Sequence, residues 1–90
     1  MRGIHTGRRV LRWRVKHEVS IQRSFLSYCG LWVATACRSD NRDGYTWFTD
    51  DHGQFGILPA RSTTTLPTLD AAKAECEAYV REALGLGVKR

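Results

Sequence analysis

LRWRVKHEVSIQ, residues 11–22, is the stretch that decides the fold, because apolar or aromatic and polar side chains alternate along almost all of it. A period of two over this length predicts a half-buried β-strand. One face would carry Leu11, Trp13, Val15, His17, Val19 and Ile21, and the other Arg12, Arg14, Lys16, Glu18, Ser20 and Gln22. We expect so long a strand to bend or break near Ser20, where the run of branched side chains ends.

A central strand is predicted over residues 31–37, LWVATAC, which follow a short apolar stretch at 25–28. Because this segment is rich in β-forming residues and carries no charge, we expect it to be buried on both faces. Residues 38–44, RSDNRDG, supply Asp, Asn and Gly, which tolerate left-handed backbone conformations. A hairpin turn is therefore predicted there.

Two shorter strands are predicted beyond this turn. Residues 45–49, YTWFT, would form the hairpin partner of the central strand. DDHG at 50–53 has the composition of a second tight turn. A short fourth strand is then expected over residues 54–58, ending at Pro59.

A single helix is predicted to begin after Thr68, whose hydroxyl can accept a free backbone N–H of the first turn. Apolar residues recur at spacings of three and four and form one stripe that would lie on the sheet, whereas the charged residues would face water. Glu77 and Arg81 are spaced to form a favourable pair. Gly85 and Gly87 are expected to stop the helix.

Together these elements predict an α+β fold, an antiparallel β-meander of three to four strands packed by one C-terminal α-helix. The single domain is expected to span residues 10–85, between a flexible basic arm at 1–9 and a short basic tail at 86–90. No apolar run reaches the ~18 residues that a membrane helix needs, so no membrane contact is expected.

Charge is divided unevenly along the chain, whose net charge is +5. Residues 1–38 contain eight Lys or Arg and one acid, whereas residues 39–90 contain six Lys or Arg and eight acids. This asymmetry suggests contact with an anionic surface, either phosphate or an acidic protein patch. A solvated basic strand face is the plainer alternative, and both interpretations stay open.

Three cysteines, at positions 29, 37 and 76, form no closely spaced pair. An odd count without a signal peptide favours a reducing cytoplasm, where free thiols behave as small core residues. Residues 1–17 are basic and free of acids, as a transit peptide would be, but the alternation fits a strand better.

Patterns of catalysis and metal binding are not found in the sequence, so we expect a protein that is not an enzyme and uses no cofactor. No Cys or His has a second such residue two to four positions away, as structural zinc sites require. A thiol with a neighbouring base would need His17 or His52, and His52 stands in an acidic turn where we expect it to be solvated. No phosphate-binding glycine motif is present.

Binding of nucleic acid has more support. Arg12, Arg14 and Lys16 would stand at intervals of roughly 6–7 Å on one strand face, with Arg8 and Arg9 just ahead of them. Such a row of cations can follow a phosphate backbone.

Trp32 and Trp47 are the candidates for a stacking platform, if either faces outward. So small a domain has few other large side chains for its core. We therefore expect both tryptophans to be core residues.

Four motifs occur together along the chain: WRV at 13–15, GLWVA at 30–34, YTWF at 45–48 and TLDAAKAECE at 68–77. In this arrangement, over about residues 12–84, the chain resembles small, mostly uncharacterised proteins encoded by tailed phages and prophages of GC-rich bacteria. The resemblance implies no catalytic residue. It implies a protein of the bacterial cytoplasm that binds a host macromolecule, and some proteins of this style inhibit host defence, anti-CRISPR proteins among them.

We therefore expect a non-enzymatic, phage-type accessory protein that binds a host protein or protein complex and inhibits it, for example a CRISPR–Cas defence complex. The alternative is a small basic nucleic-acid-binding module. In either case the expected contact residues are Arg8, Arg9, Arg12, Arg14, Lys16, Arg42 and His52. The oligomeric state stays open, including a dimer that pairs an exposed edge strand with a second copy.

Overall fold

The computed structural model describes residues 10–17, 22–39 and 44–86. Its strands are β1 (Leu11–His17), β2 (Gln22–Tyr28), β3 (Leu31–Arg38) and β4 (Tyr45–Thr49), and its helix is α1 (Leu69–Leu84). The strands form one antiparallel sheet in sequence order, with the helix at the C-terminal end of the chain. This is the predicted α+β meander. The predicted arm, and residues 87–90 of the predicted tail, lie outside the described residues.

The strand predicted over residues 11–22 is divided between two strands. β1 ends at His17, β2 begins at Gln22, and these two residues are paired in the register. The predicted break near Ser20 falls in residues 18–21, outside the described part of the chain. The apolar stretch at 25–28 is therefore part of β2, which pairs with both β1 and β3.

A β-bulge reverses the direction in which the first residues of β3 face. Leu26 is paired with Ala34, but the next residue of β2, Ser27, is paired with Trp32, so Val33 is an extra residue. An extra residue moves the side chains beyond it to the other face of the sheet. Trp32 and Ala34 therefore lie on opposite faces.

The two faces of the sheet differ in what covers them. α1 packs on one face, against β3 and β4, and we call this the covered face. The core between them consists of Leu26, Tyr28, Val33, Ala34, Ala36, Trp47, Ile57, Ala72, Cys76 and Val80. The opposite face, over which the described residues place no helix, is called the open face.

Two tryptophans of the covered face are anchored by carboxylates of α1. Trp47 Nε1 donates to Glu75 Oε1 at 2.8 Å, and Trp13 Nε1 donates to Glu77 Oε1 at 3.0 Å. The prediction that the charged residues of the helix face water is wrong for Glu77, whose side chain is only 12% exposed. The predicted pair with Arg81 is confirmed at 2.8 Å.

The helix begins and ends as predicted. Thr68 Oγ1 accepts the N–H of Ala71 at 3.0 Å. Gly85 takes a positive φ of 75°, and the N–H of Leu86 then reaches the carbonyl of Arg81 at 2.8 Å. This arrangement satisfies a carbonyl that the helix end would leave unpaired.

The fourth strand predicted over residues 54–58 is wrong. The buried carboxylate of Asp51 accepts the N–H groups of Phe55 at 3.0 Å and of Ile57 at 3.1 Å. These donors are thereby withdrawn from any sheet ladder. Gly56, inside the predicted strand, has a φ of 78°, which an extended strand does not contain.

The outer edge of β4 is covered by the backbone of residues 60–66 instead. Tyr45 and Leu66 exchange two hydrogen bonds of 2.8 Å, and the N–H of Thr49 donates to the carbonyl of Ala60 at 2.9 Å. Among the described residues β1 has no such neighbour on its outer side. The two edges of the sheet are therefore unlike.

Candidate functional site

A row of side chains crosses the open face from one edge of the sheet to the other. The register pairs Arg14 with Phe25, Phe25 with Thr35, and Thr35 with Phe48. An isolated bridge then places Arg61 beside Phe48. Because paired residues of antiparallel strands share a face, this row has aromatic rings in its middle and an arginine at each end.

Trp32 packs against the middle of this row. Its ring meets that of Phe25 edge to face, with centroids 5.3 Å apart and planes at 85°. Its Nε1–H donates to the carbonyl of Ala34 and to Thr35 Oγ1, both at 2.9 Å. These contacts fix the indole in place while 43% of the residue stays exposed.

Aromatic surface is therefore presented to solvent on the open face. Phe48 is 38% exposed, and Phe25 is half-buried between Arg14 and Thr35. Large apolar side chains that stay exposed together on a small domain mark a surface for binding.

Arginines border these rings. Arg12 and Arg14 are exposed on β1, Arg61 is exposed beyond β4, and Arg23 is half-buried on β2. Lys16 is paired with Arg23, so its register position is on the same face, while its side chain lies outside the described part of the structure. The four strands contain no Asp or Glu.

The uneven charge along the sequence becomes a difference between two layers. α1 carries four acids, Asp70, Glu75, Glu77 and Glu82, against two bases, Lys73 and Arg81. The sheet, in contrast, is purely basic in its strands. Within the described residues, the sheet is therefore the basic layer and α1 the acidic one.

The expected contact residues are not all brought together. Arg12 and Arg14 lie on the open face, with the register position of Lys16 beside them. Arg8, Arg9 and Arg42 lie outside the described residues.

His52 lies apart from these cations, because it follows β4 and β1 is at the opposite edge of the sheet. Its side chain is 74% exposed, and its Nε2 pairs with Asp50 Oδ1. The expectation that His52 is solvated in a turn is confirmed, and the structure gives it no contact with the basic row of β1.

The prediction that both tryptophans are core residues holds for one of them. Trp47 is 5% exposed and packs against Tyr79, with ring centroids 5.6 Å apart. For Trp32 the prediction is wrong, because the extra residue Val33 turns it to the open face.

Sequence reasoning missed Phe25, Phe48 and Arg61. A signal existed for Phe48, since it adjoins Trp47 in a strand and must face the other way once Trp47 is assigned to the core. Arg61 had no local signal, because its place depends on a bridge to a distant strand.

The described residues hold no group of three or more His, Cys, Asp or Glu able to bind a metal ion. The cysteines are free, and burial raises the pKa of the Cys76 thiol from 9.0 to about 12, with Glu77 and Glu75 adding to the effect. This thiol therefore stays neutral and acts as a core residue. None of the helices in the described part is long and apolar enough to span a bilayer.

Comparison with protein-family models, with curated proteins and with solved structures gives no match to this chain. The resemblance to phage proteins therefore stays a prediction. The function is therefore inferred from the side chains of the open face.

Proposed function

We propose that the protein is a non-enzymatic nucleic-acid-binding protein that holds its ligand on the open face of the sheet. The observation that carries this proposal is one cross-strand row, in which Arg14 and Arg61 flank Phe25 and Phe48. Cations neutralise phosphates and aromatic rings accept bases, and this face presents both in one place.

The main competitor is a protein partner, since protein interfaces also favour aromatic and arginine side chains. Charge distinguishes the two. A protein interface commonly has a polar rim of mixed sign, whereas the strands here contain arginine and lysine without any acid. A uniformly basic surface suits a ligand of uniform negative charge.

The distribution of charge also supports the approach of an anionic ligand to the open face. The acids of α1 lie on the far side of the sheet from Arg12 and Arg14. Among the described residues, positive charge therefore lies on the sheet and net negative charge on the helix, and this arrangement favours approach of a polyanion from the aromatic side.

The test is binding of the full chain to a labelled nucleic-acid strand of about 12 nucleotides, measured by fluorescence anisotropy across ~50 to 300 mM salt. Each phosphate contact with a single strand lowers the logarithmic salt slope by about 0.7, so four contacts give a slope near −3. We expect a slope of roughly this size.

Arg14→Glu and Arg38→Glu form a matched pair of variants, because each reverses one exposed charge. Arg14 lies in the row of the open face, whereas Arg38 is paired with Tyr45 at the end of β3, in the register of the covered face. We expect Arg14→Glu to weaken binding by at least about tenfold at the low end of the salt range and to flatten the salt slope. Arg38→Glu should have a clearly smaller effect.

Absence of binding at ~50 mM salt would overturn the proposal, as would equal losses in the two variants. The open face would then be a surface for a protein, which is the role that the resemblance to phage accessory proteins implies. Host proteins captured by the wild-type chain and lost with Arg14→Glu would support that role, with a CRISPR–Cas complex as one case to examine.

A further inference from the structure

We infer that the ligand is single-stranded and that unpaired bases stack on Trp32 and Phe48 without their identity being read. This inference rests on the proposed function, and it adds the class of nucleic acid and the mode of recognition. It follows from where the exposed rings lie on the sheet and from how their polar atoms are used.

The rings lie in the interior of the open face. Phe25 belongs to β2, Trp32 to β3 and Phe48 to β4, whose outer edge is covered by residues 60–66, so none is on β1, whose outer edge has no described neighbour. A four-stranded sheet is roughly 14 Å wide between its outer strands, whereas the major groove of duplex DNA is ~12 Å wide and admits a helix or a two-stranded ribbon. Because the face is too wide to enter the major groove, only bases that are not held inside a duplex can contact its interior rings.

The spacing of the two most exposed rings requires separated bases. Trp32 lies three residues along β3 from Thr35, which is paired with Phe48 on the neighbouring strand. Because Val33 is an extra residue, Trp32 and Thr35 are only two register positions apart on β2. The Cα atoms of Trp32 and Phe48 are therefore about 8 Å apart. Neighbouring bases of a duplex strand rise only ~3.4 Å, so two bases on these rings must leave a continuous stack, which a single strand permits.

The side chains of Trp32 and Phe48 have no free polar atom with which to read a base edge. The one indole N–H of Trp32 already donates to the Ala34 carbonyl and to Thr35 Oγ1. Phe48 has no polar side-chain atom, and Thr35 is only 1% exposed. Contact through ring faces alone tolerates any base, because every base has a π-face.

The ends of the row indicate the path of the strand. Arg14 and Arg61 stand at opposite edges of the sheet with the rings between them. A backbone that contacts both arginines runs across the β-strands, and the bases between the two contacts reach Phe48 and Trp32.

The experiment compares three labelled probes with the full chain: a thymidine 12-mer, an abasic strand of the same length and charge, and a duplex of the same length. We expect the thymidine strand to bind tightest. Trp32→Ala and Phe48→Ala should each weaken that binding by about 5- to 150-fold, because one stacked base contributes roughly 1–3 kcal/mol. The same variants should leave binding of the abasic strand and the salt slope unchanged.

Trp32→Tyr is the control for folding and for the role of the ring, since it keeps an aromatic face and should keep most of the affinity. Adenine, cytosine and thymine 12-mers should bind within about tenfold of one another. A larger preference would overturn the absence of base reading.

Failure of this inference is distinguishable from failure of the proposed function. If the abasic strand or the duplex binds as tightly as the thymidine strand, or if neither alanine variant loses affinity, stacking is refuted. An effect of Arg14→Glu in that same experiment would leave the proposed function standing. If no probe binds at ~50 mM salt, both fall.

Discussion

The covered and open faces are built from the same strands and use the same residue types for different ends. Trp47 on the covered face is 5% exposed and donates its indole N–H to Glu75, whereas Trp32 on the open face is 43% exposed and donates to Ala34 and Thr35. Both indoles are fixed, but only Trp32 keeps a ring surface in contact with solvent. The comparison shows that a side chain can be held rigidly without being used for the core.

The two edges of the sheet repeat this contrast. β4 is covered by residues 60–66, whereas β1 has no described neighbour outside it and carries Arg12 and Arg14. Antiparallel pairing of β1 with a second copy would bring these like charges toward one another, which destabilises a sheet. The basic side chains of β1 therefore oppose an edge-strand dimer.

The largest expected effect is a difference between Trp47 and Trp32 in how much their replacement by alanine lowers the free energy of unfolding. Trp47→Ala should lower the free energy of unfolding by about 3–5 kcal/mol, because it opens a cavity in the core and leaves Glu75 without its donor. Trp32→Ala, which removes a residue that is already half in water, should lower it by only about 1 kcal/mol. Urea denaturation followed by circular dichroism measures both. Equal losses would show that the two faces do not differ as described.

The next largest effect is a difference in stability loss between variants of two adjacent acids, Asp51 and Asp50, in the loop after β4. Asp51 is 4% exposed and accepts two backbone N–H groups, while Asp50 pairs with the exposed His52. We expect Asp51→Ala to lower the free energy of unfolding by about 2–3 kcal/mol, because buried donors lose a charged acceptor. Asp50→Ala, the matched control, should lower it by less than about 1 kcal/mol. A reversed order in urea denaturation would contradict this account of the loop.

The smallest effect, per pH unit, is a pH dependence of the free energy of unfolding that arises from Cys76 on the covered face. The Cys76 thiol has a pKa of about 12 in the folded chain, and the exposed thiol of the unfolded chain has its ordinary value of 9.0. Below pH 9 the thiol is neutral in both states; between pH 9 and 12 it ionises only in the unfolded chain, which favours unfolding. The free energy of unfolding should therefore fall by up to about 1.4 kcal/mol per pH unit.

Cys76→Ala supplies the control for this titration. Its stability is expected to be lower at neutral pH, but its decline above pH 9 should be shallower than that of the wild type. Urea denaturation at several pH values between 8 and 11 gives the two slopes. Identical slopes would exclude Cys76 as the source.

Features of the fold that depend on local chemistry were predictable from the sequence. The hydroxyl of Thr68 and the left-handed Gly85 mark the ends of α1 where they were expected. YTWFT alternates and forms β4 with its predicted bounds. The strand predicted over residues 54–58 is wrong because the carboxylate of Asp51 accepts the N–H groups that a strand would use. Nothing in the segment's own composition indicates this.

The candidate site was predictable only in part. Arg12 and Arg14 followed from alternation within one strand. The rest of the row depends on pairing between strands, which sets Phe25 beside Thr35 and Arg61 beside Phe48. Trp32 was assigned to the core because so small a domain has few other large side chains, and no pattern in its own strand indicated the bulge that turns it outward.

The bulge at Val33 also bears on how such a surface arises in evolution. One inserted codon is enough to exchange the faces of the residues that precede it, and β3 from Ala34 to Ala36 stays buried in the core while this happens. A strand of this type can therefore acquire an outward-facing indole in a single mutational step, while the core residues beyond the bulge stay buried. The same meander without the extra residue would have an inward-facing tryptophan, so the scaffold does not depend on the surface that it presents.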